Sequence, residues 1–89
     1  MNTSLRYAVC TIRAIIKAAQ PHPDFQGEYV FATNQIFGYK GNTGSAAVGL
    51  LELLGYIVLE NRLFSNQAIR VYRLTEENLE LLKKLVQDK

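Results

Sequence analysis

The sequence predicts a single, mostly helical α+β domain, and three features predict it. Apolar residues in the first twenty positions recur with the period of an amphipathic helix. Two segments rich in β-branched residues, 56–60 and 68–74, are separated by turn-forming residues and predict an antiparallel hairpin. Thr75, followed by two glutamates, predicts a capped final helix. At 89 residues the chain can form only one domain, residues 1–89.

The first helix is predicted over residues 4–20. Its apolar positions are spaced by three and four residues: Leu5, Ala8, Val9, Ile12, Ile15, Ile16 and Ala19. Arg6, Arg13 and Lys17 fall in a stripe beside this apolar arc. Cys10 is expected to be a small buried hydrophobe. The segment 21–23, in which two prolines flank His22, should end the helix and leave His22 as a solvated loop residue.

In the middle of the chain, the sequence predicts shorter elements. Residues 28–32 form either a short strand or an extended lead-in. Thr33 is expected to cap a short helix over 34–37, and turn residues follow at 39–42. A second full helix is predicted over 43–54. It should end at Gly55, which occupies the position where helices commonly adopt the left-handed conformation.

The hairpin should connect through a loop at 61–67, longer than the tightest hairpin turns. The final helix should run from Glu76 to about Gln87. Acidic residues lie near its positive end and lysines near its negative end. Because the first and last helices present more apolar surface than one hairpin can cover, we expect a homodimer, with residues 76–88 as a candidate dimerisation element.

Composition excludes several classes of protein. The chain is 48% hydrophobic and 20% charged, which is typical of a compact fold and not of a disordered segment. One cysteine and one histidine give no disulfide, no metal site and no catalytic pair. The glycines around Lys40 do not have the spacing of a phosphate-binding loop. We therefore expect no enzyme activity, no metal and no cofactor.

Charge and hydropathy bear on partners and location. The net charge of +2 and an isoelectric point near 8.8 permit binding to nucleic acid without demanding it. No apolar stretch reaches the roughly 20 residues needed to span a bilayer. The first 20 residues contain three cations and do not match a signal peptide. We expect a cytoplasmic protein without a membrane partner.

Two local motifs resemble the winged helix-turn-helix superfamily. Leu51-x-x-Leu54-Gly55-Tyr56-Ile57 is similar to the exit from the recognition helix of such regulators. Tyr72-Arg73-Leu74-Thr75-Glu76-Glu77 is similar to the strand and helix that follow the wing. The resemblance covers residues 5–80. It implies a three-helix core, a two-stranded wing hairpin with a possible short third strand, and here an additional C-terminal helix.

In this superfamily the helix after the turn enters the major groove of double-stranded DNA, and the wing lies along the backbone or minor groove. The resemblance implies contacts to base edges from the first turn of helix 43–54, through Asn42, Thr43, Ser45 and Ala46. It implies phosphate contacts near Tyr39 and Lys40. It implies wing contacts from Arg62, Asn66 and Gln67, with Arg70 at the base of the wing. Arg6, Arg13 and Lys17 form either a surface for the DNA backbone or a partner, or a plain solvated face.

One departure from the superfamily keeps the function open. Regulators of this type usually have basic or amide side chains along the exposed side of that helix, whereas Glu52 is the only charge here. The leading expectation is a small transcriptional regulator that binds DNA as a homodimer. The alternative is a protein-interaction module that does not recognise DNA sequence. A third possibility is an accessory protein that binds DNA without sequence specificity.

Overall fold

The computed structural model describes residues 3–36, 42–62 and 69–87, and shows an α+β fold that is about 54% helical. Within these residues three helices pack on a four-stranded antiparallel sheet. The helices are α1 (Thr3–Ala18), α2 (Asn42–Leu53) and α3 (Glu76–Val86). The strands are β1 (Gln20–Pro21), β2 (Glu28–Ala32), β3 (Val58–Arg62) and β4 (Arg70–Thr75), in the order β1-β2-β4-β3. The predicted α+β class is confirmed.

The first helix ends two residues earlier than predicted, and a strand that the sequence did not predict follows it. Gln20 and Pro21 pair with Val30 and Tyr29 at the edge of the sheet. The residue before a proline disfavours the helical conformation, so Gln20 is extended instead. Because β1 is an edge strand, the missing N–H of Pro21 costs no hydrogen bond in the interior of the sheet.

In the next segment the predicted strand is confirmed, and the predicted short helix is wrong. Residues 28–32 form β2, so the extended lead-in is a true strand. A 3-10 turn over Thr33–Gln35 stands where a short helix was predicted. Thr33 is not a helix cap: it is fully buried, and its Oγ1 accepts a hydrogen bond from the Arg70 N–H at 2.9 Å. The last residue of the predicted helix, Phe37, lies outside the described residues.

Helix α2 agrees with the prediction to within one residue at each end. Gly55 has a φ of 86°, the left-handed conformation expected at this position. The Gly55 N–H donates to the Glu52 carbonyl at 3.1 Å, and the Tyr56 N–H donates to the Leu51 carbonyl at 3.0 Å. These two bonds satisfy carbonyls that the end of the helix would otherwise leave unpaired.

The hairpin and the final helix also follow the prediction, with shifted bounds. Strand β3 begins at Val58 and not at Tyr56, because Ile57 turns into the core with 1% of its surface exposed. An irregularity in the pairing lies between Leu59 and Asn61. The predicted cap of α3 is confirmed, since Thr75 Oγ1 accepts from the Asn78 N–H at 3.1 Å.

One continuous core holds all the major elements together. The sheet face that carries Phe31 and Tyr72 is covered by the helices, and these two rings stack with centroids 5.7 Å apart. The other core side chains come from every helix and from the segments between them: Ile15, Ile36, Val48, Leu51, Ile57, Leu74, Leu79 and Leu82. No helix among the described residues is both long and apolar enough to cross a membrane.

Candidate nucleic-acid interface

The cationic stripe of α1 is exposed. Arg6, Arg13 and Lys17 lie at positions i, i+7 and i+11 of the helix, on the side opposite the buried Ile15. Cys10 lies between them at i+4 and is exposed, so its prediction as a buried hydrophobe is wrong. The spacing could have indicated this, because Cys10 shares the stripe of the three cations and not the apolar arc.

One cation of this stripe also has a structural role. The guanidinium of Arg13 donates to the backbone carbonyl of Val86 at 3.4 Å. Val86 is the last residue of α3, where unpaired carbonyls form the negative end of the helix dipole. Arg13 therefore ties α1 to the end of α3, whereas Arg6 and Lys17 have no such bond among the described residues.

An open cleft lies beside Lys17, near the end of α1. Its volume is about 370 Å³, and it is lined by Ala14, Lys17, Ala18, Gln20 and Gln35. Gln35 belongs to the 3-10 turn and accepts a hydrogen bond from the Ala32 N–H through its Oε1 at 2.8 Å. An ammonium group and two amides around an open cleft can hold an anionic group such as a backbone phosphate.

The loop end of the hairpin meets the same 3-10 turn. Arg62 and Arg70 are paired residues at the end of β3 and β4 where the connecting segment joins the two strands. The backbone of Arg70 is bonded to Thr33, the first residue of the turn. The chain then reaches the start of α2 only six residues after Ile36. The turn thus brings together the loop end of the hairpin and the Lys17 cleft, and α2 follows it closely in the sequence.

The side chain of Arg70 faces the helices. It hydrogen-bonds to the side chain of Tyr72, whose hydroxyl donates to Glu52 Oε1 at 3.2 Å. Burial raises the pKa of Tyr72 above its usual value of 10.0. The Glu52 carboxylate raises it further, while Arg70 acts in the opposite direction. Arg70 is therefore half-buried in a polar cluster with Tyr72 and Glu52, and its predicted contact with DNA stays a prediction.

The outward face of α2 is apolar. Leu50 and Leu53 are 54% and 82% exposed, and Ala46 and Gly49 are exposed on the same side. Glu52 points away from this face toward Tyr72. The residues predicted to contact bases, Asn42, Thr43, Ser45 and Ala46, all lie in the first five residues of α2. This part of the helix precedes the exposed leucines.

Four predicted contact residues lie outside the described residues: Tyr39, Lys40, Asn66 and Gln67. Tyr39 and Lys40 belong to the segment between the 3-10 turn and α2. Asn66 and Gln67 belong to the segment that joins β3 to β4. Their predicted roles stay predictions.

The sequence missed a polar cluster on the outer face of the sheet. The His22 side chain is only 4% exposed, so its prediction as a solvated loop residue is wrong. Its Nδ1 accepts a hydrogen bond from the Asp24 N–H at 3.0 Å. A neutral imidazole must then carry its proton on Nε2, which donates to Glu60 Oε1 at 2.7 Å. The His22 ring also packs on Phe25, with centroids 4.9 Å apart.

Arg73 completes this cluster. Its Nε lies 3.2 Å from a carboxylate oxygen of Glu28, and its Nη1 lies 3.9 Å from Glu60. Its guanidinium also lies over the Phe25 ring at 5.1 Å. Arg70 and Arg73 lie three residues apart in β4, so their side chains point to opposite faces of the sheet. Since two carboxylates compensate Arg73, this cluster offers little free positive charge.

The described residues contain no group of three His, Cys, Asp or Glu side chains that could hold a metal ion. Neither a family model, nor a curated protein, nor a solved structure matches this chain.

Proposed function

We propose that the chain is a winged-helix protein that binds double-stranded DNA as a homodimer in the cytoplasm and regulates transcription. The observation that carries this proposal is the convergence around the 3-10 turn Thr33–Gln35. The Lys17 cleft and the loop end of the hairpin meet there, and α2 begins seven residues after the turn in the sequence. Positions from α1 and from the hairpin are thereby available to one extended ligand.

The arrangement of elements supports a winged helix. A helix, two short strands, a 3-10 turn, a second helix and a hairpin follow one another in that order. The second of these short strands, β2, pairs with the second strand of the hairpin, β4. The β3–β4 hairpin would be the wing, and α2 would present its first turn to the major groove.

The distribution of charge indicates how DNA would be bound. Arg6 and Lys17 are exposed, whereas α2 has no cation on its outward face. Phosphate contacts supply most non-specific affinity, and base contacts supply sequence preference. We therefore expect affinity to come mainly from α1 and the hairpin, and sequence preference from the polar residues that begin α2.

The test is binding to labelled duplex DNA of random sequence at 50 and 200 mM salt. Affinity should fall steeply with salt. Lys17→Ala should weaken binding several-fold and lower the slope of log K against log salt by about 1. Lys83→Ala removes the same charge from α3, where Lys83 already pairs with Glu80 at 3.2 Å, and should have little effect. Absence of binding at 50 mM salt, or equal losses in both variants, would overturn the proposal.

A second function is favoured by the apolar face of α2. Leu50 and Leu53 are much more exposed than leucines usually are, and exposed apolar patches commonly bind proteins. On this proposal the domain is an interaction module that docks another protein through α2. Duplex DNA would then not bind even at low salt. Leu53→Lys would abolish binding to the protein partner while leaving the unfolding free energy within about 0.5 kcal/mol of the original value.

A further inference from the structure

We propose that the outward face of α3 binds the same face of a second copy of this chain, with the two α3 helices antiparallel about a twofold axis near Leu81. The inference rests on the proposed function, because it specifies the interface of the proposed homodimer. The face is defined by Glu77, Leu81, Lys84 and Leu85, at positions i, i+4, i+7 and i+8 of the helix. We call it the α3 face.

The centre of the α3 face is apolar, and its leucines do not belong to the buried core. Leu81 and Leu85 are 39% and 48% exposed. The core side of the same helix is formed by Leu79, Leu82 and Val86, which are buried. The helix therefore has an apolar side toward its own domain and a second apolar strip toward solvent, which a solvent-facing surface does not require.

Charge complementarity identifies the second copy as the occupant. Glu77 lies four residues before Leu81, and Lys84 lies three residues after it. When two such helices pack antiparallel with their Leu81 residues opposed, Glu77 of each chain faces Lys84 of the other. A parallel arrangement would instead oppose identical charges. Within the described part of the chain, neither Glu77 nor Lys84 takes part in an ion pair, whereas the neighbouring Lys83 is paired with Glu80.

The end of α2 extends this surface. The Asn78 side-chain amide donates to the carbonyl oxygens of Tyr56 and Gly55, at 3.3 and 3.5 Å. These bonds hold the end of α2 beside the first turn of α3. Leu54, which directly precedes Gly55, is 61% exposed. In the antiparallel arrangement the partner's Leu85 approaches this first turn, so Leu54 and the partner's Leu85 can cover each other.

The size of the surface sets the expected affinity of the dimer. The exposed parts of Leu54, Leu81 and Leu85 amount to roughly 250 Å² per chain, well under the ~800 Å² per partner of a standard interface. The dimer should therefore be weak in the absence of DNA, with a Kd on the order of 100 µM. Binding to two adjacent sites on one DNA duplex would raise the effective concentration of the second copy and complete the dimer.

Charge exchange tests the inference directly. Sedimentation of the full chain at low salt, between 10 and 500 µM and without DNA, should show a reversible monomer–dimer equilibrium. Glu77→Lys alone and Lys84→Glu alone should each weaken the dimer by about tenfold, because each opposes like charges at two symmetric positions. The double variant Glu77→Lys/Lys84→Glu exchanges both charges and should restore the original Kd. Failure of the double variant to restore it would overturn the antiparallel arrangement.

Two further variants separate the interface from folding and from DNA binding. Leu81→Glu should give a monomer at all these concentrations, with unchanged helix content by circular dichroism. Val58→Thr alters another half-exposed apolar residue, on the outer face of the sheet, and should leave the Kd unchanged. A chain that stays monomeric up to 500 µM would overturn the inference. Because these measurements contain no DNA, their failure is distinct from failure of the duplex-binding test.

Discussion

At the scale of single residues, the environment of a side chain was decided by partners far away in the sequence. His22 is separated from Glu60 by 38 residues, yet their hydrogen bond makes a loop histidine the buried member of a partly exposed polar cluster. Arg70 and Arg73 have the same chemistry and lie in the same strand. One contacts Tyr72 on the helix side, and the other contacts Glu28 and Glu60 on the outer side. Parity fixes that their directions differ, but not which one faces the helices.

Tyr72 gives a prediction about pH. Its pKa is raised in the folded state, chiefly by burial, so the folded protein retains the phenolic proton at a pH where the unfolded chain loses it. The unfolded state then binds fewer protons, and the free energy of unfolding falls as pH rises through about 10 and beyond. This contribution is fully present below pH 10.

The measurement compares urea unfolding of the original chain and Tyr72→Phe between pH 7 and 11. At pH 7 the variant should lose about 1 kcal/mol, because the hydroxyl no longer bonds to Glu52 and Arg70. Above pH 10 its stability should fall less steeply than that of the original chain. Parallel pH profiles would contradict the assigned environment. Tyr7→Phe, at a position 53% exposed, is the matched control and should not change the profile.

At the scale of elements, the sequence correctly predicted those helix ends that are stabilised by residues close by in the chain. The end of α2 at Gly55 and the cap of α3 at Thr75 were both predicted, because each depends on backbone geometry or a hydrogen bond within a few residues. Strand β1 and the 3-10 turn were not predicted. The proline makes Gln20 extended, but Gln20–Pro21 is a strand only because it pairs with β2, and Thr33 bonds to the backbone of β4.

The glycines inside α2 and just after its end give a paired prediction. Gly49 lies inside α2, and a Cβ added there would meet nothing within 4 Å. Gly49→Ala should therefore stabilise the fold by about 0.5–1 kcal/mol through higher helix propensity. Gly55 has a φ of 86°, so Gly55→Ala should destabilise the fold by about 1–2 kcal/mol even though space is available.

Chemical denaturation measures the free energy of unfolding of the two variants. Both carry the same Gly→Ala change, at positions six residues apart. Opposite signs are expected. Equal effects would mean that the left-handed conformation at Gly55 does not hold in solution.

At the scale of the whole molecule, one core joins α1, β2, α2, β4 and α3. Among the described residues, the buried apolar side chains of these elements belong to this one shared cluster, so no element has a separate core of its own. We therefore expect a single cooperative unfolding transition, in which the circular dichroism of the helices and the near-ultraviolet signal of the tyrosines change together.

Core and surface substitutions should change the free energy of unfolding by very different amounts. Ile15 is fully buried in the core, and Ile15→Ala should cost about 2–5 kcal/mol, because it removes apolar contacts and leaves a cavity. Leu53 is 82% exposed, and Leu53→Ala should change stability by less than about 0.5 kcal/mol. A large loss from Leu53→Ala would show that the outward face of α2 is covered in the free protein.

The sequence by itself determined the α+β class, the extent of the long helices to within about two residues, the hairpin and the capping residues at Gly55 and Thr75. Periodicity, turn chemistry and capping are local, so they can be read from neighbouring residues. Only the tertiary structure decided that β2 pairs with β4, that His22 is buried against Glu60 and that Arg70 turns toward Tyr72. It also decided that the Lys17 cleft and the loop end of the hairpin meet at one 3-10 turn. These features depend on contacts between residues tens of positions apart, which form only when the core brings the sheet and the helices together.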